Sequence, residues 1–271
     1  MKIDLHCHSS EYSACSRMSA EELVRAARLH GLDAVAITDH YRYLSDEDRD
    51  RLQQIEPELR IFRGIEISLE NPAATEGWED IVIISEEDPT PLHPIRTNAL
   101  EAFHDFVRET GALVIHAHPY RFHDSIIYDP ADFRPDAVEI ASCNLSVANH
   151  DKIAKFCRKN DFNAIATSDA HGSQVIGLHC IELDRPAANE RELGEIVREG
   201  AFTMRSHEPT FSTFYETVNR EEELARRVLS AGGDVHNFLH AGGSWAGIFK
   251  NARKGLSSLP NEKALELRNP V

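Results

Sequence analysis

The sequence predicts an α/β fold, most simply a barrel of βα units, and three observations carry that expectation. Short β-branched runs alternate with segments of helical period over residues 1–205, the pattern of parallel β/α architecture. Seven or eight such units fit this length, and barrels of this kind run to about 250 residues as a single domain. Histidines and carboxylates also collect just past the ends of the strand-like runs. An open doubly wound sheet is the competing arrangement. No GxGxxG or GxxxxGK[ST] run supports a Rossmann or P-loop nucleotide site;.

The expected strands are Lys2–His6, Asp33–Ile37, Ile61–Ile67, Asp80–Ile84, Ala112–Ile115, Ala137–Ile140 and Asn163–Ala166, with a further one at Phe202–Met204. Helical patterns lie between them. Ser19-Ala20-Glu21-Glu22 is a capping box opening a helix to about His30, and Gly31 stops it;. Other helices are expected at Asn98–Thr110 before Gly111, His150–Asn160, and Asn189–Glu199 before Gly200. After about Ser206 the character changes: strand-like runs disappear, and one helical stretch remains near Val218–Ser230. Two regions are therefore expected, a barrel over residues 1–205 and a mainly helical tail over residues 206–271.

Composition narrows the function. The chain has 271 residues, 41% hydrophobic and 27% charged, as in ordinary globular proteins;. A net charge of −16 argues against extended binding to a nucleic-acid backbone, which needs many Lys and Arg contacts;. It leaves room for a small anionic ligand held by metal ions. The start, Met1-Lys2-Ile3-Asp4, carries no apolar signal segment, and no run is apolar enough to span a membrane;. Five scattered cysteines without CxxC spacing fit neither a disulfide framework nor a zinc ribbon;. The expected setting is cytoplasmic.

His6 and His8 end the first strand two residues apart, so both rings can reach one ion;. Asp39-His40 ends the second strand, Glu66 the third, and His116-Ala117-His118 the fifth. Asp169-Ala170-His171 follows Ala164–Ser168. In a parallel barrel these ends share the C-terminal rim, where active sites form. A mixed His/carboxylate shell suits Zn, Mn or Fe(II). Taken singly, the His pair, Asp39 as a helix cap and Asp169–His171 as a structural pair all have ordinary readings. Five coincidences at strand ends point to a metal cluster instead.

The order of these motifs resembles the PHP (polymerase and histidinol phosphatase) family: Asp4-Leu5-His6-Cys7-His8, Thr38-Asp39-His40, Gly64-Ile65-Glu66, His118-Pro119 and Ser168-Asp169-Ala170-His171. The resemblance covers about residues 1–205. It implies a distorted (β/α)7 TIM-like barrel and two to three divalent metal ions. By that pattern His6, His8, Glu66 and Asp169 hold the first ion, Glu66 bridges to a second held by His118, and His40 and His171 hold a third. The chain departs from the pattern twice. Glu11–Cys15 lacks the histidine that trinuclear members carry there, leaving Cys15, Glu11 or water as replacements. Ile83–Glu86, after the fourth strand, lacks another, for which His93 or His116 are the substitutes.

The resemblance implies a phosphoesterase that hydrolyses a small phosphorylated substrate (a nucleotide, sugar phosphate or amino-alcohol phosphate) with metal-activated water. Asp169 and His171 are the candidate proton carriers, and Arg121, Arg17 and Asn144 the candidate substrate contacts;. Hydrolysis of C–N or C–O bonds, exonuclease action on short oligonucleotides and a non-catalytic metal-binding role are the alternatives. The sequence does not give the oligomeric state.

Overall fold

The computed structural model describes residues 1–74, 77–121, 125–145 and 149–207, together with positions 224, 227, 228, 230–232 and 260. The chain divides into two compact units, Met1–Ser206 and His207–Val271. The helical stretch expected near Val218–Ser230 and the rest of the tail lie, those few positions aside, outside the described residues.

In the first unit β1 (Lys2–Cys7), β2 (Ala34–Ile37) and β3 (Arg60–Glu70) run parallel. β4 (Trp78–Ile84) turns back antiparallel to β3, and a two-residue β5 (Ile95–Arg96) flanks the far end of β3. β6 (Leu113–His116) is antiparallel to β4, and β7 (Ala137–Ala141) and β8 (Asn163–Ala166) continue parallel to β6. β9 (His179–Leu183) and β10 (Phe202–Ser206) add antiparallel strands beside the start of β1. The far end of β1 instead meets the segment after β8: Cys7 bridges Ala170, and the His8 amide donates to the Ala170 carbonyl at 3.0 Å. That contact nearly closes a barrel of seven strands, β1 to β4 and β6 to β8.

Five helices, α1 (Ala20–Leu29), α2 (Asp46–Ile55), α3 (Glu101–Thr110), α4 (His150–Asn160) and α5 (Glu190–Arg198), occur among the described residues. In α1 the Ser19 capping box forms in full, and Leu23, Val24 and Ala27 form its buried stripe;. Gly31, at φ 77°, takes the left-handed conformation that ends it;. Helix α2 escapes a periodicity reading because Leu52 is the one residue it buries. Strand β9 likewise goes unnoticed in the sequence, where it follows a Gly-containing loop closely.

The barrel strands are buried on both faces, which explains their near-continuous apolar runs;. Ile3, Leu5, Ala36, Phe62, Val82, Leu113, Ile115 and Ile165 form one cluster inside the barrel. Val35, Ile37 and Ile61 pack outward under α1, and Ile81, Ile83 and Val114 under Phe103 of α3. Leu5 is fully buried, which stabilises the fold by about 1.5–3 kcal/mol;.

The all-parallel arrangement expected from the sequence needs correction at β10, which runs antiparallel to β9, and within the barrel at β4. The connection from Glu70 to Trp78 is too short for the crossover of a dozen or more residues that parallel strands require, so β4 returns antiparallel;. Its beginning, not its end, therefore lies at the rim that carries the histidines.

Candidate metal centre

The site starts with a register irregularity. Between Asp4 and Cys7 the pairing of β1 with β2 shifts, resetting the in-out alternation;. Ile3 and Leu5 join the interior apolar cluster, and His6 and His8 then both face one group of carboxylates. Glu66 reaches that group from β3, directly beside His40, with which it forms a bridge. His118 and Asp169 arrive from the loops after β6 and β8. Both hold left-handed backbone, φ 29° and 48°, a conformation that costs energy in non-glycine residues and persists where surroundings impose it;.

The distances are short. His6 Nε2 and His8 Nε2 are 3.0 Å apart. Glu66 Oε2 lies 3.3 Å from His6 Nε2, 3.2 Å from His8 Nε2 and 3.1 Å from His40 Nδ1. Its other oxygen is 3.0 Å from His118 Nε2. Asp169 Oδ1 is 3.2 Å from His8 Nε2 and 3.5 Å from His6 Nε2. Three sets of potential ligand atoms each fall within 4.8 Å of one another: His6, His8 and Asp169; His6, Glu66 and His118; and His8, His40 and His171. These residues are buried, save His40 at the edge, whose side chain is 30% exposed.

Two buried atoms test whether cations fit. Glu66 Oε2 and Asp169 Oδ1 have no hydrogen-bond partner, although imidazole nitrogens surround both. Native structures rarely leave buried carboxylate oxygens unpartnered. Divalent ions held by these nitrogens and oxygens would satisfy both atoms and relieve the close approach of His6 and His8.

The electrostatics agree. Burial opposes charge on His6, but Asp169, Glu139 and Glu66 outweigh it and hold its pKa well above the ordinary value. Burial likewise opposes charge on His8, whose carboxylate neighbours Asp169 and Glu66 carry it up to about 9. Burial depresses His40 to about 4, and burial with His8 nearby depresses His171 to about 3. Burial pushes against ionised Glu66 and Asp169, yet the histidines hold both well below the usual carboxylate range. The centre is a concentration of negative charge that protons or metal ions neutralise.

The other expected residues divide. Asn144 Nδ2 donates to Asp169 Oδ2 at 2.5 Å, so it braces that carboxylate. Arg121 acts electrostatically on His118, Asp80 and Cys15. Cys15 is half-buried, and burial, with Asp169 and Glu66 near, raises its thiol to about 11; it falls outside the three ligand sets. Arg17 is exposed, and its amide donates to the His171 carbonyl at 3.0 Å. Neither replacement histidine joins the centre. His93 is exposed and packs against Tyr41 in a tilted arrangement, ring centroids 4.4 Å apart. His116 belongs to the outer face of β6, where its Nε2 meets Glu79 at 2.9 Å and its Nδ1 meets Tyr128 Oη at 2.8 Å. Strand alternation explains this, since Ile115 takes the inward position;.

The sequence reading passed over three contributors. Asp80, at the start of antiparallel β4, lies 4.0 Å from His118 Nε2, and burial, followed by Glu66, raises it to about 7. Glu139 contacts His6 Nδ1 at 2.8 Å, and its signal was a lone carboxylate in an apolar strand. Ser13 donates to Asp39 at 2.7 Å and sits 3.3 Å from His8 Nδ1, so Asp39 orders the loop after β1 and not a helix.

A PHP-domain family model matches residues 4–123, and a PHP-associated model matches residues 148–202. No curated protein gives a significant match. Among solved structures, PsfC from Pseudomonas syringae aligns with a TM-score of 0.54 and 15% identity, over 78% of this chain and 93% of that one. A two-domain protein from Bacteroides vulgatus, containing a predicted PHP-like metal-dependent phosphoesterase, aligns with a TM-score of 0.54 and 18% identity, over 80% of this chain and 69% of that one. At these identities the likeness shows a common fold.

Proposed function

Because the chain belongs to the PHP family, we propose that it is a metal-dependent phosphoesterase acting on a small phosphorylated substrate. The observation that carries this reading is the convergence of His6, His8, His40, Glu66, His118, Asp169 and His171 around two unpartnered carboxylate oxygens. Two to three ions of Zn, Mn or Fe type suit this donor set. When bound, such ions supply Lewis acidity and lower the pKa of water.

The protein's own residues do the rest. His40 is the accessible edge of the centre, so substrate enters past it. Arg121 brings positive charge beside His118 and Asp80, and a guanidinium pairs well with phosphoryl oxygens;. His171 donates from Nδ1 to the Asp169 carbonyl at 2.9 Å, which leaves Nε2 as its acceptor. Asp80, beside His118 at the rim, is placed to pass a proton to a departing alkoxide;. Asp169, held ionised well below the usual carboxylate range, is a poor proton acceptor and suits the role of metal ligand better than that of proton carrier. Exposed basic residues do not offset the net charge of −16, which supports a small substrate over a long nucleic acid;. All five cysteines are free, which suits a reducing cytoplasm;. Among the described residues no helix is long and apolar enough to cross a membrane.

Elemental analysis with a phosphatase assay tests the reading, using Mn, Zn, Fe and Mg on the wild type and His8→Ala. The expected result is two to three ions per chain and metal-dependent phosphate release that the substitution abolishes. Bound metal without phosphate release would move the reaction to a non-phosphate bond. No metal after reconstitution would refute the centre itself.

A further inference from the structure

Glu139 is a carboxylate on β7 with 0% exposure, and both its oxygens are engaged. Oε1 accepts from His6 Nδ1 at 2.8 Å and from Thr167 Oγ1 at 2.5 Å. Oε2 accepts from the backbone amide of His118 at 2.8 Å. One side chain thus touches two of the three residues in the set His6, Glu66 and His118. Both oxygens of this carboxylate act as acceptors, so His6 Nδ1 carries the proton in their contact;. In neutral His6 the lone pair then belongs to Nε2, the atom facing His8, Glu66 and Asp169. At His118 the same carboxylate anchors a residue whose φ of 29° is unfavourable, and whose ring must nevertheless point Nε2 at Glu66, 3.0 Å away.

We propose that Glu139 is a positioning residue: it fixes which nitrogen of His6 faces the metals and clamps the strained backbone of His118, so that one buried carboxylate aligns both histidines. The inference rests on the reading that these histidines hold metal. Glutamine shows why a carboxylate is required. Its amide has one acceptor oxygen, whereas His6, Thr167 and the His118 amide all need an acceptor. With its oxygen toward His118, its NH2 group faces His6 Nδ1 and favours the tautomer that places the proton on Nε2. With the oxygen toward His6, the strained amide of His118 loses its acceptor.

Competition against a chromophoric chelator, with Co(II) and Zn(II) and the full chain, tests the proposal. Wild type is measured first: if it binds no metal, the metal-site reading fails and the proposal, which rests on it, falls with it. Given wild-type binding, Glu139→Gln is expected to weaken affinity about 10- to 100-fold, as loss of a partner orienting a metal-bound histidine does. Its visible Co(II) spectrum should change as well. Thr167→Val, which removes a bond to Glu139 but leaves His6 and His118 held, should keep affinity within about threefold, well short of that loss. Wild-type affinity and spectrum in Glu139→Gln would overturn the proposal. Should that variant not fold, long-range nitrogen NMR of the Zn-loaded wild type decides: a protonated Nδ1 and metal-bound Nε2 on His6 are expected, and the reverse pattern overturns it.

Discussion

His116 and His118 stand two residues apart, and the chain uses them for different ends. His118 turns left-handed into the carboxylate group, while His116 is sealed behind β6 between Glu79 and Tyr128. His116→Ala should therefore keep its full metal content. It should also lose about 1–3 kcal/mol in urea denaturation, because Glu79 Oε2 is left buried without its donor;. Loss of metal in that variant would place His116 in the centre after all. At this scale much was legible: HxH, TDH and SDAH name residues that lie together because each ends a strand at one rim, whereas Glu66 of GxE reaches the same group from within β3, which continues to Glu70. Asp80 was hidden, since its place depends on the direction of β4. Glu139 was hidden for another reason: its partners His6 and Thr167 lie 133 and 28 positions away in the chain.

Strands β3 and β4 show what a motif glycine does for its neighbours. A Cβ on Gly64 would meet the Ile83 carbonyl at 2.8 Å and Thr38 Cγ2 at 3.0 Å. The obstacle is backbone, which cannot rotate aside, so Gly64→Ala must push β3 from β4. A destabilisation of about 1–3 kcal/mol is expected. Glu66 lies two residues on and Asp80 on the opposing strand, so metal affinity should fall with stability. Denaturant titration with and without metal separates the effects: equal loss in both would mean that the strain never reaches the centre. Helix α1 was legible to its caps because the Ser19 box and the 3.6 period agree, whereas α2, almost wholly polar, offered no period to find;.

Over the whole molecule, protons and metals compete for one acidic core. The metal-free chain holds His8 protonated up to about pH 9, and His6 higher than its ordinary value. Raised values mean that the charged form prevails below them, yet a ligand must be neutral, so loading expels protons. Apparent affinity should climb as pH rises toward 9, and calorimetry in buffers of different ionisation enthalpy should detect proton release. No release would contradict the charge assignment. The barrel itself was legible from the alternation of elements, but its closure was not, because the contact that makes it joins residues far apart in the chain. Asp4 accepts from the Ser168 amide at 3.0 Å across 164 positions. That contact also sets an order of events in time. On a ribosome the first strand emerges many seconds before its partner, at about 5–20 residues per second. The histidines of β1 wait, incomplete, until the segment after β8 arrives. Metal is then expected to be captured by a finished barrel and not to nucleate it. Refolding rates should be indifferent to added metal, while unfolding should slow in its presence.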